Sequence, residues 1–260
     1  MSIAAGRSAG TVSAMTVPAL SRGGPAVRRA TLRRLAGAGV HLYTACGVVL
    51  AFAMVHFAYA GNVQAVLWLF GAAMLIDGTD GFLARWLQVS RSLPAFDGAL
   101  LDNIVDFLTY AFAPMVLLWS AGYLPGGAGG AMVVAMVLLA SCYQFARTDA
   151  KTGDHYFRGF PSYWNVAAFY VVVLDLSPAA TAVVLGVLAV LAFIPLHYLY
   201  PSRTRALWRL TMVLTAAWLG LYALITATYP DPPQWLVAVS LGYVAYYAAA
   251  SVILSARRRG

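Results

Sequence analysis

In a chain of 260 residues, 62% hydrophobic and only 10% charged, a mean hydropathy of +0.75 excludes an ordinary soluble domain. The formal charge of +8 would suggest nucleic acid in a soluble protein; here membrane topology and attraction to anionic lipid account for it, and no nucleic-acid partner is expected. Cys46 and Cys142 both fall in apolar runs and read as packing residues.

Residues 1–25, "MSIAAGRSAGTVSAMTVPALSRGGP", are small, polar and punctuated by Gly and Pro, which predicts a disordered arm. The next stretch, 26–37, spaces Arg28, Arg29, Arg33 and Arg34 with Val27, Leu32 and Leu35 at helical intervals, which predicts a basic helix lying on the membrane surface. Residues 38–260 form the transmembrane domain. Eight apolar runs near the length needed to cross a hydrocarbon core follow, at about 39–60, 63–87, 97–121, 129–147, 162–176, 178–200, 208–228 and 234–255. The expected fold class is all-α, a polytopic membrane helical bundle of about eight transmembrane helices. With both termini cytoplasmic, all seventeen Lys and Arg residues fall on one side, and the loops "AGN", "YLPGGAGG", "LSP" and "TYPDPPQ" on the other side carry none.

Five of the nine acidic residues lie between Asp77 and Asp106, flanked by apolar runs, where a lone carboxylate is expensive. At about 100° per residue, Asp80, Gly81 and Ala84 all fall within roughly 60° of Asp77 on a helix. That face carries two carboxylates and two positions with almost no side chain. In the third run Gly98, Asp102 and Asp106 recur every four residues and stack on one stripe. If the two helices face each other, four carboxylates converge beside space for a bulky ligand. Such a cluster needs cations, and hard oxygen ligands suit a pair of Mg²⁺ or Mn²⁺ ions acting on phosphorus. A structural polar cluster or an ion path through a transporter also fits the pattern. Asp97, three residues after Pro94, is expected as the N-cap of the third span.

The order Asp77-x2-Asp80-Gly81-x2-Ala84-Arg85, a spacer, and then Gly98-x3-Asp102-x3-Asp106 resembles the signature of the CDP-alcohol phosphotransferases, with every fixed position present. The spacer, Trp86 to Asp97, is longer than the commonest form. Together with the span count and the stretches "FDGALLDNIVDFLTYAFAP" and "YFRGFPSYWN", it resembles the bacterial phosphatidylcholine synthase branch of that family, over most of the chain. The first span departs from the family pattern: "HLYTACG" replaces the Pro-Asn that often precedes the Thr, here Thr44.

The resemblance implies an integral enzyme of the bacterial inner membrane with its site facing the cytoplasm. It would join choline to CDP-diacylglycerol and release CMP, with serine, glycerol 3-phosphate or inositol phosphate as alternative acceptors. Asp77, Asp80, Asp102 and Asp106 would hold two divalent ions, Mn²⁺ or Mg²⁺, with Asp106 also the general base. Asp80, Gly81, Ala84, Arg85 and Gly98 would border the cytidine diphosphate. A quaternary ammonium is held by aromatic faces, and the cytoplasmic side supplies Tyr143, Tyr156, Phe157, Tyr163, Trp164 and Tyr200, of which Tyr163 and Trp164 lead. A phosphate-bearing acceptor would instead need a basic cluster, for which Arg147, Lys151, Arg158, Arg203 and Arg205 are at hand. Relatives commonly form homodimers, although no span shows a clear Gly-x-x-x-Gly face.

Overall fold

The computed structural model describes residues 25–257, and the arm expected to be disordered lies outside them apart from Pro25. Ten helices follow in order: α1 (Pro25–Tyr59), α2 (Val63–Trp86), α3 (Val89–Ser92), α4 (Gly98–Asp106), α5 (Ala113–Ser120), α6 (Ala128–Ala146), α7 (Trp164–Val173), α8 (Pro178–Phe193), α9 (Trp208–Ala227) and α10 (Gln234–Ala256). A π-helical segment, Phe107–Phe112, joins α4 to α5 without a break. Among the described residues the single sheet is a two-stranded antiparallel ribbon of β1 (Tyr156–Arg158) and β2 (His197–Leu199). The bundle is therefore a polytopic helical membrane fold with one small sheet outside its spans.

Six helical stretches are long and apolar enough to cross a membrane: Val27–Tyr59, Val63–Trp86, Gly98–Ser120, Ala128–Ala146, Trp208–Ala227 and Gln234–Ala256. The other two apolar runs form shorter helices. α7 has ten residues, about 15 Å, half of a hydrocarbon core. Its Trp164, Asn165, Ala168, Phe169, Tyr170, Val171 and Val172 are all buried, so its unbroken apolarity faces protein on every side. α8 stops at Phe193 instead of continuing to 200. Ile194 precedes Pro195 and takes extended backbone (φ −82, ψ 123), as a residue before proline must, and the chain then enters β2.

The basic stretch 26–37 forms the opening turns of α1 and runs without a break into the first span. Gly37 and Gly39 do not interrupt the helix; Gly37 serves close packing, because a Cβ there would stand 2.8 Å from Ser92 Oγ on α3. One turn after Gly37, His41 fills the space over Gly98 of α4, and at Gly47 an added Cβ would run into Val105. A single face of α1 thus seats α3 and α4 in turn.

Pro114 accounts for the π segment. It has no N–H to return to the Tyr110 carbonyl, and its ring crowds that carbonyl, so the turn before it opens to wider spacing. Asp97 caps α4 as expected, its Oδ1 accepting from the N–H groups of Ala99 and Leu100 at 3.0 Å each.

Candidate active site

α2 and α4 bring their carboxylates to one end of the bundle. Oxygens of Asp77, Asp102 and Asp106 lie within 4.8 Å of one another. Asp80 lines the same cleft, together with Thr44, Gly47 and Thr109, but stands outside that triad. It is buried, and its Oδ2 accepts from Thr44 Oγ1 at 2.7 Å. The expected set of four therefore divides into three clustered carboxylates and one anchored by α1.

Magnitudes decide what such a cluster needs. At 4.8 Å and an effective dielectric near 20, each pair of like charges costs about 3.5 kcal/mol, so three ionised carboxylates cost roughly 10 kcal/mol. That rivals the whole stability of a typical domain. The protein's own compensation is small: Tyr110 Oη donates to Asp77 Oδ2 at 2.9 Å, and Lys151 Nζ stands 3.8 Å from Asp102 Oδ2 with half its side chain exposed. Three convergent carboxylates with so little internal compensation fit a hard divalent cation by donor chemistry and spacing.

Of these neighbours Tyr110 was missing from the sequence-derived site, while Thr44 entered it only as a departure from the family pattern and Lys151 only as a cation for a phosphate-bearing acceptor. Tyr110 continues the four-residue stripe of Gly98, Asp102 and Asp106, and that continuation was the available signal. Thr44 carries a weaker one, a hydroxyl in an apolar run. Lys151 carries none, because it sits on a loop whose course only tertiary packing sets. That loop is clipped by Asp149, whose carboxylate pairs with Arg147 (2.6 and 2.9 Å) and with Arg158 Nη1 (2.6 Å). The Arg147 hydrogen bonds, joined by Arg158, hold the Asp149 carboxyl down at about 2. Burial works against the Lys151 ammonium, but the Tyr200 phenol and the nearby carboxylates outweigh it, and its pKa lies above the usual lysine value. At Gly159 (φ +80) the loop passes α8 so closely that an added Cβ would run into the Ala192 carbonyl.

The residues expected to border a nucleotide are placed less openly than their size suggested. Arg85 folds back over Gly81, its Nη1 3.1 Å from where a Cβ would stand, and the His41 imidazole covers Gly98. Ala84 is partly exposed on α2 between them in sequence.

The six aromatic candidates separate. Phe157 stacks on Tyr200 with ring centres 4.5 Å apart, and Tyr163 meets Phe157 edge-on at 6.2 Å. Tyr163 also neighbours Tyr110 at 6.3 Å, which links this group to Asp77, and Tyr247 at 6.2 Å. Lys151 bridges to Phe157 through the backbone. Trp164 is fully buried against Phe160, Tyr143 stacks on Phe193 beneath the Arg147 guanidinium, and Tyr156 packs with Leu199 and Ala250.

The profile of the CDP-alcohol phosphatidyltransferase family matches residues 41–254. The chain belongs to that family. Among curated CDP-alcohol phosphatidyltransferase relatives, it is 39% identical over 215 residues to a phosphatidylcholine synthase of Legionella pneumophila, covering 80% of this chain and 84% of the relative. It is 36% identical over 219 residues to one from Pseudomonas aeruginosa (84% and 92%) and 32% identical over 222 residues to one from Borreliella burgdorferi (85% and 94%). The family match begins at His41, so the Arg-bearing turns of α1 precede the part shared with other CDP-alcohol phosphatidyltransferases, while all four aspartates lie within it.

Proposed function

We propose that the chain transfers the phosphatidyl group of CDP-diacylglycerol to choline and releases CMP, the activity carried by the names of its relatives. The observation that carries this reading is the convergence of Asp77, Asp102 and Asp106 beside the aromatic group of Tyr163, Phe157 and Tyr200. Choline has no donor on its nitrogen and is recognised through aromatic faces. A phosphate-bearing acceptor would draw on the basic residues nearby, of which Arg147 and Arg158 pair with Asp149 and Lys151 faces Asp102, while Arg203 lies over the Tyr200 ring, its Cζ 5.8 Å from the ring centre. Of the six aromatic candidates, the choline site in this reading consists of Phe157, Tyr163 and Tyr200, and leaves out Trp164, Tyr143 and Tyr156.

In the proposed reaction the choline hydroxyl oxygen attacks the phosphorus that bears diacylglycerol. A new P–O bond forms, the P–O bond to the cytidylate breaks, and CMP departs with that bond's electron pair. Asp106 accepts the hydroxyl proton as the bond forms. Asp77 and Asp102, together with Asp106, would hold Mn²⁺ or Mg²⁺, with Asp80, kept in place by Thr44, beside them. Bound there, the metal supplies positive charge against the diphosphate. A carboxylate is a weak base toward an alcohol, so orientation of the two substrates must supply much of the acceleration. Gly81, Ala84, Arg85 and Gly98 border the nucleotide. The His41 imidazole, which now covers Gly98, and the Arg85 side chain are the groups that move to admit it.

The site faces the cytoplasm of a bacterial inner membrane in this reading, supported by the basic residues gathered at the same end as the aspartates. The deciding experiment presents purified protein, CDP-diacylglycerol and Mn²⁺ or Mg²⁺ with choline, serine, glycerol 3-phosphate or inositol, and measures CMP. Release with choline alone is expected. Release with glycerol 3-phosphate alone would keep the family and remove choline; release with none would overturn the reaction itself.

A further inference from the structure

At the end of the α1–α2 pair opposite their connecting turn lies a second cleft, distinct from the carboxylate site. It is open to solvent, has a volume of about 790 Å³, and is lined by Arg29, Arg33 and Arg34 of α1, Arg91 of α3, and Trp86 and Gln88. No acidic residue lines it, and none of these arginines makes an ion pair among the described residues. Arg91 donates only to Gln88 Oε1, at 3.2 Å. Four guanidiniums from two separate elements repel one another unless an anion sits among them. Exposed apolar side chains border it: Trp86 in its lining is 71% exposed, and Leu32 and Leu35, on α1 outside the lining, are 56% and 63% exposed. An occupant must therefore combine negative charge with hydrocarbon.

We infer that this cleft binds the headgroup of an anionic glycerophospholipid, its phosphodiester held between Arg33 or Arg34 of α1 and Arg91 of α3. The guanidinium fork matches phosphate oxygens, and Trp86 suits the glycerol level of an interface. The extended stretch between Arg85 and Gly98 thereby acquires a role, since it supplies Arg91 and packs α3 onto Gly37. A lipid bridging α3 to α1 steadies the helix face that continues through His41 to Thr44, the partner of Asp80. This inference is independent of which alcohol the enzyme uses.

Native mass spectrometry of the full chain in neutral detergent, with equal amounts of dioleoyl phosphatidylglycerol and dioleoyl phosphatidylcholine, tests it. Phosphatidylglycerol should be retained preferentially. At about 1 kcal/mol per basic residue, Arg91→Gln and Arg33→Gln should each weaken its retention roughly five-fold. Arg28→Gln, outside the cleft lining, should leave it unchanged. Equal weakening by Arg28→Gln would reduce the site to diffuse attraction by a basic helix. Displacement by inorganic phosphate would make it a free-phosphate site, and equal retention of phosphatidylcholine would make it an apolar groove; each overturns the inference. Arg33→Gln carries the test if Arg91→Gln does not elute as a monodisperse protein.

Discussion

The α2–α4 end of the bundle and the α7–α9–α10 half both bury polar groups inside a membrane protein, and they satisfy them differently. In the second region the chain closes on itself: Trp218 Nε1 donates to Tyr170 Oη (2.9 Å), Tyr170 Oη to Ser240 Oγ (3.1 Å), and Ser240 Oγ to the Val237 carbonyl (2.7 Å). Tyr222 Oη likewise donates to the Leu67 carbonyl at 2.6 Å. In the first region three carboxylates share one phenol and one distant ammonium. Most of the second region's polarity ends in a neutral acceptor, Trp164 Nε1 and Asn165 Nδ2 of α7 excepted, whereas the carboxylates of the first keep open valences for something that arrives from outside.

The comparison can be broken most severely at Asp106. Asp106→Asn should lower CMP release by about 10²- to 10⁴-fold, the range for a lost general base, while CDP-diacylglycerol still binds in a competition assay. Equal loss of binding and turnover would leave Asp106 as a metal ligand only. Chelation comes next: EDTA should bring CMP release to background, and Mn²⁺ or Mg²⁺ should restore it. Turnover indifferent to EDTA would mean that the carboxylates are closed by the protein after all, like the tyrosines of the other half.

Thr44→Val, nearly isosteric, removes one hydrogen bond to a charged group, about 1.5–3 kcal/mol, so CMP release should fall by about ten-fold or more and return with Thr44→Ser. In the other region Tyr170→Phe removes two hydrogen bonds and orphans Trp218 Nε1, which should cost about 2–3 kcal/mol in unfolding stability and leave turnover unchanged. A loss of turnover there would erase the distinction between the two regions. The smallest effect concerns the loop that carries Lys151. Because the folded pKa of Asp149 lies at about 2, below its ordinary 3.8, its stabilisation is full above that ordinary value and is lost as pH falls through about 2. Pepsin cleavage within residues 147–158 should rise over that window, and Asp149→Asn should flatten the dependence.

The resemblance in sequence carried the family, and spacing carried the pairing of Asp77 with Asp102 and Asp106, because helical periodicity is a local property that needs no knowledge of neighbours. Asp97 was legible as a cap for the same reason. The length of α7 was not, since an apolar run reads the same whether it meets lipid or protein, and only packing made Trp164 and Phe169 core residues. Proline set two boundaries whose consequences reach further than their local rule: Pro195 ends α8, and Pro114 opens the π segment from which Tyr110 reaches Asp77.

By itself, then, the order of residues determined a membrane-spanning helical chain and the two stripes of aspartate, both consequences of hydropathy and a 3.6-residue turn. Tertiary structure alone decided that Thr44 of α1 anchors Asp80, that Lys151 faces Asp102, that Tyr163 joins Phe157 and Tyr200 while Trp164 does not, and that Arg91 meets the arginines of α1. Those contacts join positions far apart in the chain, and no local periodicity specifies which distant side chains share a volume.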